Sequence, residues 1–264
     1  MKKHYLIKSY LDVKLNLLCF VLEDYTYLLA LYYFVQEFSQ NKNKNESKEI
    51  TLQFIELFLK EGIIKVGKGL DGDFTLLEGT PEEIVQQIKK EWDDLKEPLT
   101  PYEVVNFDKT KKSKEEFEAI NYIPCLQDED DDSELVLLQK RRIRSIYLNV
   151  KLDLLFQGLQ GSIDLFTLQN IVEKYSYSED PNELKRITIA LVEIYLKEGS
   201  VFAKQLNGSL NPQAEDPEAV VSQIEQQWDG PLKPSDIVCF KITEKGIRDY
   251  ELFKSIPFLQ ESFD

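Results

Sequence analysis

Two stretches of this sequence recur. Leu59-Lys60-Glu61-Gly62 returns as Leu196-Lys197-Glu198-Gly199, 137 residues later, and Ile123-Pro124-Cys125-Leu126-Gln127 returns as Ile256-Pro257-Phe258-Leu259-Gln260, 133 residues later. The chain therefore carries its own two-row alignment. Positions apolar in both rows report shared packing, and positions that differ report surface or specialisation.

A duplication divides the 264 residues into two domains of ordinary size, each large enough to bury a core of its own. The expected domains are 1–127 and 140–264, joined by an acidic linker at 128–139. That linker holds Asp128-Glu129-Asp130-Asp131-Asp132-Ser133-Glu134, whose like charges repel and keep the backbone solvated. The basic run Lys140-Arg141-Arg142-Ile143-Arg144 follows at once, and an intramolecular role or plain solvation fits it better than phosphate binding.

Paired apolar positions trace the elements of each repeat. Tyr10 to Leu15 faces Tyr147 to Leu152 as an extended or helical lead-in. Leu28, Leu29, Leu31, Phe34, Val35 and Phe38 then match Leu165, Phe166, Leu168, Ile171, Val172 and Tyr175, a helical stripe. A second helix follows, apolar on most sides, in which Ile50, Leu52, Phe54, Ile55, Leu57 and Phe58 match Ile187, Ile189, Leu191, Val192, Ile194 and Tyr195; Gly62 and Gly199 stand where a left-handed cap would stop it. Asp71-Gly72 and Asn207-Gly208 are hairpin-turn dipeptides, with strands expected at 63–66 and 74–77. A third helix is expected from Thr80-Pro81-Glu82-Glu83, a capping box, and from Asp216-Pro217, each ending its core-facing stripe on Trp92 or Trp228. Short strands at 104–107 and 237–240 and a last amphipathic segment carrying Phe117 or Tyr250 close the repeats.

Composition narrows the function. With 42% hydrophobic and 30% charged residues the chain is globular in type. No run approaches the roughly 20 apolar residues that span a bilayer. The start, Met1-Lys2-Lys3-His4-Tyr5-Leu6, lacks the long apolar stretch of a signal peptide. A cytoplasmic location is expected, without membrane partners. Cys19, Cys125 and Cys239 face Phe156, Phe258 and Asn106 in the other repeat, so free thiols are expected rather than a paired framework. A net charge of −15 opposes nucleic-acid binding and serves either plain solubility or steered encounter with a basic protein.

Catalytic chemistry is sparse. Histidine occurs once, at His4, which removes most nucleophilic triads and most transition-metal sites. Gly67-Lys68-Gly69 lacks the spacing of a phosphate loop, and Asp71-Gly72-Asp73 lacks the distal Glu of a calcium loop. Glu56 and Glu193 recur in the most apolar helix, as structural partners of Lys or Arg or as half-buried catalytic acids. No cofactor, metal or small-molecule substrate is expected.

The two rows differ most in the first stripe. Tyr27, Tyr32 and Tyr33 face Asp164, Gln169 and Asn170, so these rings are not demanded by the shared core. Flanked by Glu23, Asp24 and Glu37, they suit a binding patch for a cationic surface; the alternative is that they pack against the other repeat.

The order of helices, hairpin and closing strand, followed by Ile242-Thr243-Glu244-Lys245-Gly246, resembles a winged-helix domain, whose wing carries a similar turn. Copy one departs from it with Lys109-Thr110-Lys111-Lys112-Ser113. Leu59 to Ile63, Thr80 to Ile84, Glu91-Trp92, Pro98 and Val104 to Phe107 resemble a group of small acidic bacterial proteins that are uncharacterised or similar to immunity proteins that neutralise toxins. The resemblance implies an α+β chain of two tandem winged-helix-like domains and a non-catalytic, immunity-type inhibitor of a basic, toxin-like protein, with Glu23, Asp24, Tyr27, Tyr32 and Tyr33 as contacts. A regulatory or scaffold protein is the alternative from another class. A DNA-reading role for the second helix is disfavoured, since residues 46–61 carry Glu46, Glu49, Glu56 and Glu61 against Lys48 and Lys60.

Overall fold

The computed structural model describes residues 2–39, 43–69, 73–121, 134–205, 216–228 and 238–256. It is mixed helix and antiparallel sheet, in two compact units, Met1–Glu118 and Ala119–Asp264.

Unit 1 runs α1 (Lys2–Glu23), β1 (Thr26–Tyr27), α2 (Leu28–Ser39), α3 (Lys44–Glu61), β2 (Ile64–Lys68), β3 (Thr75–Leu76), α4 (Pro81–Asp94), β4 (Asn106–Lys109) and α5 (Lys111–Asn121). Its sheet has the order β1-β4-β2-β3, so β4 returns from beyond α4 to lie between β1 and β2. Unit 2 repeats the plan as α6 (Glu134–Gln160), β5 (Ile163–Asp164), α7 (Leu165–Ser176), α8 (Pro181–Lys197), β6 (Val201–Gln205), α9 (Pro217–Gln227), β7 (Val238–Ile242) and α10 (Glu244–Ser255). Its strands are ordered β5-β7-β6, the same arrangement without β3 among the described residues.

The most apolar helix is central in each unit. In α3, Ile50, Leu52, Phe54, Ile55, Leu57 and Phe58 are all buried, and α8 buries Ile187, Ile189, Leu191, Val192, Ile194 and Tyr195. Both helices stop as their glycines foretell. Gly62 sits at φ +71° and donates to the Leu59 carbonyl while Ile63 donates to Phe58, the two bonds of a Schellman stop. Gly199 at φ +70° repeats both bonds, with Leu196 and with Tyr195 through Ser200. The capping box at the head of α4 is formed, with Glu83 N–H donating to Thr80 Oγ1 and Thr80 N–H to Glu83 Oε2.

Several expectations change. The lead-ins take the helical of their two expected forms, as the long helices α1 and α6. Residues 134–139, expected as linker, already belong to α6, because an apolar run from Leu135 to Leu138 begins directly after the acids. The first closing strand starts later than expected, at Asn106, and Val104 and Val105 are buried but precede the pairing; in unit 2 the strand is described from Val238, and residue 237 lies outside the described residues. Ile242 to Gly246 is not a wing turn. Thr243 caps α10 by accepting from Gly246 N–H, and Thr110 caps α5 by accepting from Ser113 N–H, so the two copies agree where their sequences diverge. Trp228 is buried, whereas Trp92 is only half-buried. The dipeptides Asp71-Gly72 and Asn207-Gly208, the acidic stretch 128–133 and Cys125 lie outside the described residues.

Candidate functional site

Each unit contains the same buried polar knot. Tyr10 and Lys14 are one helical turn apart on α1, so both side chains reach the end of α3. There Glu61, the last residue before the Gly62 stop, accepts from Tyr10 Oη at 2.6 Å and from Lys14 Nζ at 2.7 Å. Lys14 spends its other donors on Tyr10 Oη at 3.0 Å and on Glu116 of α5 at 3.1 Å. In unit 2, Tyr147 Oη donates to Glu198, and Lys151 Nζ reaches Tyr147, Glu198 and Asp249 at 3.2, 2.8 and 3.1 Å. Both lysine side chains are 3–4% exposed, so water screens these pairs little.

Electrostatics explains the second lysine of each knot. A helix C-terminus is a negative pole, and Glu61 adds a full negative charge beside it. Lys112 answers by donating to the Glu61 backbone carbonyl at 2.7 Å, and its counterpart Lys245 lies 2.9 Å from Asp249. Burial alone would push the Asp249 carboxyl up, but Lys151 and Lys245 outweigh it and hold it well below the usual carboxylate range. Burial, helped by Glu198 and opposed by Lys151, raises the Tyr195 phenol, which stays a donor to the Tyr147 carbonyl at 2.8 Å. An ammonium with its three protons committed is a clamp that ties α1 to α3 and α5, and α6 to α8 and α10.

The repeated acids Glu56 and Glu193 resolve as structural partners. Each pairs with the lysine one turn on, Lys60 at 2.7 Å and Lys197 at 2.8 Å, and those lysines also bridge to Glu82 and Glu218. Arg142, from the basic run, pairs with Glu183 at 2.6 Å. Burial, with Glu23 and Asp164 respectively, raises the Cys19 and Cys239 thiols, which disfavours the nucleophilic thiolate.

In unit 1 the asymmetric tyrosines form a ring seam through contacts with Trp92 of α4 and with Tyr102 of the turn after it. The Tyr32 ring meets Trp92 edge-on at 5.5 Å and lies 6.1 Å from Tyr33, which is 56% exposed. Tyr27 meets Tyr102 edge-on at 4.8 Å, and Tyr25 meets Phe74 at 5.1 Å. Gln36 donates to Tyr32 Oη; burial and the neighbouring Tyr33 nevertheless raise that phenol. Glu23, Asp24 and Glu37 are exposed beside the rings, and Asp24 accepts from the Tyr25 N–H at 2.7 Å.

Two members of this seam sit there against local preference. In unit 2 the residue at the Tyr27 position is Asp164, which caps α7 by accepting from Thr167 N–H at 2.7 Å. Tyrosine has no acceptor short enough for that bond, so unit 1 forgoes a cap worth about 0.5–2 kcal/mol. Tyr102 lies in the left-handed region at φ +65° and is 51% exposed, although tyrosine is disfavoured there by about 1–2 kcal/mol. By contrast, the lysine on the tryptophan is common to both units: Lys48 lies 4.9 Å over Trp92, and Lys185 lies 5.7 Å over Trp228.

Of the five sequence-derived residues, Tyr27, Tyr32 and Tyr33 make ring contacts, with Tyr27 and Tyr32 half-buried, and Glu23 and Asp24 are exposed. Sequence reasoning missed Tyr102, whose counterpart Ser235 marks it as specific to copy one, and it assigned Trp92 to the core. It also missed the knots, although Tyr10, Lys14 and Glu61 are unchanged in the second row. Among the described residues no cluster of His, Cys, Asp and Glu is placed to hold a metal ion, and no helix is long and apolar enough to cross a membrane. No family model matches the chain, and no curated protein and no solved structure matches it either.

Proposed function

We propose that the chain is a non-catalytic acidic binding protein, an immunity-type inhibitor that covers a basic, toxin-like partner in the cytoplasm, and that each unit is a winged-helix-like module. The module reading is supported by the order of three helices around a strand triplet β1-β4-β2, with α4 inserted before the strand that returns to the middle. The binding reading rests on one observation. Unit 1 carries a ring seam bordered by acids, where unit 2 has Asp164, Gln169 and Asn170 on the same framework.

Tyrosine and tryptophan give contact area at low entropic loss, and the surrounding negative charge accelerates encounter with a cationic surface. The net charge of −15 repels polyanions at the same time.

The test is capture from the native cell by the full chain, followed by mass spectrometry and a survival assay. One dominant basic partner is expected, with capture lost in Tyr32→Ala/Tyr33→Ala, retained in Gln169→Ala/Asn170→Ala, and weakened as salt rises. Co-expression should then rescue cells from that partner's toxicity. Several housekeeping partners held equally by all variants would instead indicate a scaffold.

A further inference from the structure

The first sheet holds a buried polar atom that nothing among the described residues answers. Asn106, on β4, pairs with Tyr27 of β1 on one side and with Gly67 of β2 on the other, so Tyr27 and Asn106 share the face turned away from Phe107, Val66 and Thr26. Asn106 is 1% exposed. Its Nδ2 donates to the Gly69 carbonyl at 2.9 Å, yet its Oδ1 is buried with no hydrogen-bond partner among the described residues. A buried, unanswered amide oxygen is unfavourable and calls for a reason.

Rings surround this position. Tyr27 carries Tyr102 edge-on, and the Phe74 ring lies so close over Gly67 that a Cβ there would meet it at 2.7 Å. Tyr25 packs on Phe74 in turn. The acids at the rim are Asp24, three residues before Tyr27, and Glu103, next to Tyr102, both exposed. Glu103 Oε2 accepts from Thr100, through its N–H at 2.9 Å and its Oγ1 at 2.8 Å, and this bond holds the turn that presents Tyr102. In unit 2 the same row reads Asp164, Cys239 and Lys204, with no ring and no amide.

We propose that this face of unit 1 is a subsite for an arginine side chain of the basic partner, an assignment that rests on the binding reading above. A guanidinium is planar, so it stacks on the exposed ring of Tyr102, with the Tyr27 ring, edge-on to it, as a side wall. Once the covering rings turn aside, its fork of N–H donors supplies Asn106 Oδ1 with its missing bond and offers the remaining donors to the rim carboxylates. An ammonium supplies charge but neither the plane nor the fork, so lysine is the weaker ligand here. The missing cap at Tyr27 and the left-handed Tyr102 are what unit 1 concedes to place the two rings.

The experiment uses the full chain, with nona-arginine and nona-lysine of equal charge as probes, followed by calorimetry at low and moderate salt. Arginine is expected to bind at least about tenfold more tightly than lysine, a ratio that Tyr102→Ser and Asn106→Leu each bring close to one. Asn106→Leu is the diagnostic variant, because it removes the unanswered oxygen. The variant should lose the arginine preference, with a fall in melting temperature no larger than the lost bond to the Gly69 carbonyl explains, whereas a merely structural asparagine would lose stability and leave the ratio alone. Equal affinity for the two peptides, abolished by Tyr32→Ala/Tyr33→Ala, would overturn the arginine subsite and leave the binding reading intact. Failure of both peptides to bind at low salt would overturn the two together.

Discussion

Lys14 Nζ lies 2.7 Å from Glu61 Oε2 with both side chains buried, and 137 residues later Lys151 and Glu198 repeat the contact at 2.8 Å. The pair stands at the Schellman stop of the central helix in each unit, where it joins the lead-in helix to the last one through Glu116 or Asp249. Removing one charge of such a cluster leaves the others buried and unanswered. Lys14→Met and Lys151→Met are each expected to destabilise their unit by about 3–5 kcal/mol, read from urea unfolding. Lys60→Met, which breaks a less buried pair, should stay under about 1 kcal/mol. Equal effects from the two knot lysines and from Lys60 would contradict the assignment of the knots as clamps.

The second knot also sets a pH dependence. Asp249 titrates lower in the folded chain than in the unfolded one, because Lys151 and Lys245 outweigh its burial. The folded state therefore binds fewer protons, and the stabilisation is complete above the unfolded carboxylate value of about 3.9. It drains away as pH falls below that value toward the depressed folded one. Asp249→Asn should be less stable than wild type at pH 7 and should show a flatter loss of stability between about pH 5 and pH 2, followed by circular dichroism.

Tyr27 and Asp164 occupy equivalent places with opposite merits. Tyr27→Asp is expected to restore the missing cap of α2 and raise unit 1 stability by about 0.5–2 kcal/mol, while Asp164→Ala should lower unit 2 by a similar amount. The same Tyr27→Asp change should weaken the basic partner, so stability and affinity move in opposite directions. A variant that gains both would argue that the ring has no part in binding.

Gly62 and Gly199 separate backbone strain from crowding. A Cβ at either position meets nothing within 4 Å, yet both lie near φ +70°. Alanine is expected to cost about 1 kcal/mol at each, from conformation alone. Gly246→Ala differs, since its Cβ would stand against the Ser200 carbonyl and Ile242, and it should destabilise by more, by thermal unfolding.

Much of this was legible in the chain itself. The alternation of apolar positions along residues 50–58, the glycine after each central helix and the Thr80 capping box are local statements, and the structure keeps them. Thr243-Glu244-Lys245-Gly246 was misread as a turn because a threonine before a polar triplet serves equally well as a helix cap, and only the ladder of β7 against β6 decides where the strand ends. Trp92 and Trp228 look alike in sequence, but the first is half-buried with Tyr32 edge-on against it, a contact made across 60 residues, and the second is buried.

From order alone, the amino acids determined that a module is doubled, where its helices stop, how negative its exterior is, and which rings belong to one copy. Tertiary structure decided what those residues meet. Helical periodicity brings Tyr10 and Lys14 to one face, yet the acids they clasp come from 47 and 102 positions away from Lys14, and no local rule reaches that far. The same holds for Tyr102 on Tyr27 and for the unanswered oxygen of Asn106: long-range packing brings such groups together after chain connectivity has stopped constraining them.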